Sequence, residues 1–156
     1  MATGPARGPV ELAAPQPPAQ QVEHGIDHAR LVTLDEGAGD IDSATYHKRI
    51  EDHAISLGFQ VGRDYLHGTL RTLNEHRDEA FDLLGLALSK PRFDADAVER
   101  VRGQMMAVLR RETTNPNSLA GRSWWRTAFP NHPYGRDPEG SLETVPRITA
   151  ADLHDY

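Results

Sequence analysis

The stretch GIDHARLVTLDEGAG, Gly25 to Gly39, decides how the chain is read. Ile26, Ala29, Leu31, Val32 and Leu34 recur at roughly helical spacing and Gly37 supplies a C-terminal stop, so it reads as one short, mostly buried helix. Outward from it, Asp40, Asp42 and Ser43 offer N-caps to a helix over 44–54. Tyr46, Ile50 and Ala54 form its apolar stripe, with His47 and His53 on or near the solvated side. Ile55, Leu57, Phe59 and Val61 then alternate with Ser56, Gly58 and Gln60, the period of a half-buried strand. Gly62-Arg63-Asp64 turns the chain into a second strand over 65–72, with Leu66 and Leu70 on one face and His67 exposed on the other. The pair reads as a β-hairpin.

Asn74 caps a helix over 75–89, with Ala80, Phe81, Leu84, Ala87 and Leu88 at core spacing and Lys90-Pro91 as its end. Pro91-Arg92-Phe93-Asp94 bends into the longest helix, 95–112, whose Val98, Val101, Met105, Val108 and Leu109 form an apolar seam; Glu112 reads as a solvated end residue. Asn115-Pro116-Asn117 starts a helix over 118–128 with Leu119, Trp124 and Ala128 inward. Trp124 and Trp125 read as core and rim anchors, or as an interface hot spot, rather than as a cofactor platform. Thr149 caps a last helix.

The 156 residues leave room for one domain with a real core. Residues 1–22 are rich in Pro and Ala without periodicity and read as a disordered leader, because they cannot bury enough apolar area to offset chain entropy. A net charge of −6 with a pI near 5.7 and scattered arginines argues against nucleic acid. The absence of cysteine excludes disulfides and thiolate metal sites. No apolar run is long enough to span a bilayer and no secretory start is encoded, so as written the chain stays in the cytoplasm.

Gly25-x-x-His28 leading into Asp35-Glu36-Gly37 resembles the segment of the M16 (insulinase, pitrilysin, processing-peptidase) family that carries the inverted zinc motif His-x-x-Glu-His. In that motif two histidines hold Zn²⁺ and the Glu takes a proton from the metal-bound water. Laid on without gaps, the motif falls on His28-Ala29-Arg30-Leu31-Val32: the first ligand is present, Leu31 stands at the base position and Val32 at the second ligand. The long helix is similar to the family's Glu-Arg-Glu-Arg helix, here Glu99-Arg100-Val101-Arg102, and the third-ligand position seven residues past Val101 is Val108. A carboxylate in an apolar seam is costly without a metal or partner, and valine is not. Phe129-Pro130-Asn131-His132-Pro133-Tyr134-Gly135-Arg136 resembles the family's His-Pro-Tyr-Gly loop, which is mainly structural, so His132 receives no catalytic role.

The resemblance implies an α+β fold, helices packed on one face of a mostly antiparallel sheet: a partial M16 domain over 23–156 that lacks its opening strands and a second, similar domain. It implies no catalytic residue, no metal and no cofactor. It also implies a partner, a zinc-bearing M16 subunit or second M16 domain sharing a peptide substrate, since bacterial M16 pairs divide the metal and the substrate-binding residues between chains. Such bacterial relatives are commonly exported to the periplasm. Two alternatives stand beside this reading. One is a weak zinc endopeptidase using His24-Gly25-Ile26-Asp27-His28, with His24 and His28 one helical turn apart as ligands and Asp27 as base. The other is an unstable truncated product whose missing strands leave an unpaired sheet edge.

Overall fold

Gly25 opens α1 (Ile26–Leu31) in a left-handed conformation at φ 96°, and it must be glycine: a Cβ there would meet the Gly140 Cα at 2.9 Å. The computed structural model describes residues 25–155. The leader expected over 1–22 and His24 lie outside the described residues. Helix α1 stops well short of Gly37, because Thr33 Oγ1 donates to the Ala29 carbonyl at 2.5 Å and a run of turns follows. Gly37 serves a different purpose, at φ 110° in the short strand β1 (Gly37–Ala38), which pairs with β2 (Ile41–Asp42).

Asp42 caps α2 (Ser43–Asp52) by accepting from the Thr45 N–H. The expected hairpin follows as β3 (Ser56–Val61) and β4 (Leu66–Arg71), antiparallel with Gly58 opposite Thr69. Its outward residues Ser56, Gly58 and Gln60 are exposed and its inward residues Leu57, Phe59 and Val61 half-buried, as the alternation requires. Leu70 is half-buried, but Leu66 is exposed rather than inward. Among the described residues neither outer edge of this hairpin pairs with a further strand.

A 3₁₀ turn at Asn74–His76 leads into α3 (Arg77–Ser89), and α4 (Ala95–Glu112) has the bounds that the sequence predicts. Asn115 caps α5 (Pro116–Ala128), accepting from the N–H groups of Asn117 and Ser118. Thr149 caps α6 (Ala150–Asp155) in a reciprocal pair: Asp152 N–H donates to the threonine hydroxyl, and Thr149 N–H to the aspartate carboxylate.

Helices pack on the inner face of the hairpin around two apolar clusters. The larger joins α1, α4 and α6 through Ile26, Leu31, Val101, Met105, Ile148 and Leu153, with Phe59 and Val61 against it. The smaller joins α2 and α3 through Tyr46, Ala80, Leu83 and Ala87, with Leu57 and Leu70 against it. The hairpin therefore ties the two together. Expected core positions on three helices are corrected. On α3 the buried stripe is Ala80, Leu83 and Ala87, because the helix presents its small side to α2 and turns Phe81 and Leu88 to solvent. On α4 Leu109 is buried and Val108 is 38% exposed, so no seam argument applies to Val108. On α5 no residue is buried, and Leu119 and Trp124 face outward.

Tyr46 is wholly buried, and its hydroxyl donates to the Leu83 carbonyl at 2.9 Å, which lifts its pKa to about 12 through burial and the nearby Asp35 carboxylate. Tyr46→Phe keeps the ring and loses that bond. Urea unfolding should show a loss of about 1 kcal/mol with an unchanged m value.

Candidate functional site

Each residue that the family resemblance sets at a zinc position has a place in the fold. Leu31, at the base position, is 4% exposed in the larger core cluster. Val32, at the second-ligand position, packs partly buried against the same cluster. His28 is half-buried; burial lowers its pKa, opposed by the Asp137 carboxylate, so its imidazole is neutral near pH 7. Val108 stands on the exposed side of α4. These residues do not fit a zinc ion, since His28 is the one donor among them. Among the described residues no group of three or more His, Asp or Glu side chains could hold a metal. Asp27 of the alternative site is exposed on α1, and His24 lies outside the described residues.

The polar chemistry of α1 is spent on holding helices. Arg30 donates through Nη1 to the Leu153 carbonyl of α6 at 2.7 Å, with its guanidinium 5.6 Å from the Phe93 ring centre. Beyond the helix, Glu36 is gripped through both oxygens by Arg100, at 2.6 and 2.8 Å. The Ser43 hydroxyl donates to Glu36 at 2.6 Å and His47 Nε2 lies 3.3 Å away. Burial pushes the Glu36 carboxyl up, but the bonds from Arg100, Ser43 and His47 outweigh it and hold it at about 2. His47, expected among solvated side chains, belongs to this cluster. Nothing local in the sequence announces it, because Glu36 and Arg100 are 64 positions apart.

Arg63 and Asp64, at the hairpin turn, dock onto the loop after α5. The Arg63 guanidinium lies 4.1 Å from the Trp125 ring centre and donates to the Arg136 carbonyl at 2.7 Å, while the Tyr134 hydroxyl donates to Asp64. Trp125 stacks on Phe129 at 5.4 Å. His132 Nδ1 accepts from the Tyr134 N–H, and a Cβ on Gly135 would sit 2.2 Å from the Phe129 carbonyl oxygen, so this loop is built for shape. Glu112, expected to be solvated, instead pairs with Arg122, which also reaches Asp137 at 2.7 Å. Trp124 is 59% exposed beside this aromatic group. An open groove of about 490 Å³ runs between α1 and the hairpin turn, lined by Asp27, Arg30, Leu31, Leu34, Tyr65 and Leu66. It offers charge and apolar surface but no base poised over a nucleophile.

No model of a known protein family matches the chain. A solved structure does: the inactive domain of a peptidase M16 from Pseudomonas fluorescens superposes with a TM-score of 0.79 and 27% identity, over 85% of this chain and 33% of that one. The chain is an M16-like domain. A protease from Helicobacter pylori shares the fold at a TM-score of 0.76 and 14% identity, over 86% of the M16-like domain and 33% of that chain. The non-peptidase homolog YmxG of Helicobacter pylori is 31% identical over 120 residues, 77% of this chain and 28% of that protein. The M16-like domain thus spans about a third of the length of these relatives.

The depressed Glu36 pKa has a signed consequence. Stability from this group is fully present above its ordinary value near 4.5 and is lost as pH falls through about 2. The margin of the wild type over Glu36→Gln, measured by denaturant titration at successive pH values, should therefore be largest above pH 5. It should shrink by roughly 3 kcal/mol toward pH 2.

Proposed function

We propose that this M16-like domain is non-catalytic and serves as the partner of a zinc-bearing M16 subunit or domain, helping to enclose a peptide that the other part cleaves. The observation that carries the reading is Leu31: a core leucine, 4% exposed, stands where the family's general base belongs. A leucine takes no proton from water, and Val32 next to it has no lone pair for a metal. The names of two relatives, an inactive domain and a non-peptidase homolog, agree with this. The pairing draws its support from α5, none of whose residues is buried, and from exposed Trp124 seated on a rigid aromatic group, the build of an interface anchor.

Incubation of the full chain with Zn²⁺ and a mixed peptide substrate should give no cleavage that a chelator abolishes. Zinc-dependent cleavage that disappears in His28→Gln would overturn the reading in favour of a peptidase. Mixed with a zinc-bearing M16 subunit, the wild type should associate. Trp124→Ala should weaken that association by about tenfold or more while leaving unfolding stability within about 0.5 kcal/mol. An unchanged affinity would remove Trp124 from the interface.

A further inference from the structure

We propose that His53 and His76 form a two-nitrogen chelating site for a divalent transition-metal ion, Zn²⁺, Ni²⁺ or Cu²⁺, at the seam between α2 and α3. His53 is the residue that closes α2, its N–H bonded to the Arg49 carbonyl, and His76 ends the 3₁₀ turn that opens α3. Packing of Tyr46 against Leu83 brings these two helix ends together. Their Nδ1 atoms lie 3.3 Å apart, with ring centres at 4.7 Å and ring planes tilted by 58°.

The two nitrogens are within hydrogen-bond reach of each other. The same separation matches the spacing of two ligands on a tetrahedral ion, because metal–nitrogen bonds of about 2.05 Å set neighbouring donors about 3.3 Å apart. A second observation is a carboxylate on the other side of the ring: Glu75 Oε1 lies 3.8 Å from His76 Nε2, the nitrogen that does not face His53. A carboxylate behind a ligating histidine is the arrangement that orients imidazoles and raises their basicity in metal sites. The neighbouring cation Arg49, one turn back on α2, is engaged at 3.6 Å by Glu79, one turn along α3. The same rung keeps the two helix ends in register. His76 is 31% exposed, so an ion and its waters have access.

With two protein donors, water completes the coordination, and the site is exchangeable rather than a condition of folding. Its binding ties the end of α2 to the start of α3 and stabilises the fold by mass action.

The test titrates the full chain at neutral pH with Zn²⁺ alone against a chromophoric chelator, with imidazole NMR signals followed in parallel. One equivalent should bind, the melting midpoint should rise with free zinc, and the His53 and His76 ring signals should move. His53→Gln and His76→Gln should each weaken binding by about tenfold or more, whereas His67→Gln on the exposed hairpin and His28→Gln on α1 should leave it unchanged. The NMR readout needs no variant, so a misfolded substitution cannot mask the result. Absence of zinc binding, ring signals that stay in place, or equal affinity in the His53→Gln/His76→Gln double variant would each overturn the proposal. Retention of binding in His28→Gln separates this site from any peptidase-like one.

Discussion

The two-pronged contact between Arg100 and the buried Glu36 carboxylate is what the rest of the domain depends on. Glu36 ends the turn after α1, Ser43 starts α2, and Arg100 projects from α4, so one carboxylate joins three segments. A carboxylate this buried would be strongly destabilising alone, and truncation of Arg100 leaves it without its cation. Arg30 repeats the device at the other side of α1, reaching the carbonyl end of α6. Between these two anchors the orientation of α1 against α4 is set. Leu31 is then directed into the core.

From that orientation follows the chemistry that the domain lacks. The family resemblance implies that in a zinc-bearing relative the same helix offers two imidazoles to the metal and a carboxylate to its bound water. Here the corresponding positions present one neutral imidazole, a core leucine and a packed valine. Leu31 shares one apolar cluster with Val101, Met105 and Leu153. The accessible features lie on the outside: an unburied α5 with its Trp124, the groove beside the hairpin turn, and the histidine pair between α2 and α3.

Elements whose pattern is local were legible in the sequence. The alternation from Ile55 to Val61 located the inner face of the hairpin, and the caps at Asp42, Asn115 and Thr149 are where their side chains predict them. What depended on a distant neighbour was not legible. Phe81 and Leu88 have the spacing of a core stripe, yet the small residues Ala80 and Ala87 let α3 approach α2 more closely and win the buried side. Periodicity does not separate Val108 from Leu109, which lie three and four residues past Met105 and so both fit a core stripe, although one is outside and the other inside. Gly37 looked like the stop of α1, but the helix ends at Leu31 and passes into tight turns, with Thr33 N–H on the Arg30 carbonyl and Leu34 N–H on the Leu31 carbonyl. Glu36 with Arg100, and His53 with His76, are pairs across 64 and 23 positions that no window on the sequence joins.

The account turns on whether Leu31 is a packing residue. Equilibrium unfolding of Leu31→Glu, with and without Zn²⁺, addresses this directly. A buried carboxylate with no metal should cost about 3 kcal/mol or more relative to the wild type, and that difference should be the same with zinc as without it. A substitution that leaves stability intact, or a loss that zinc reverses, would contradict the account and place a working metal-site frame behind this helix.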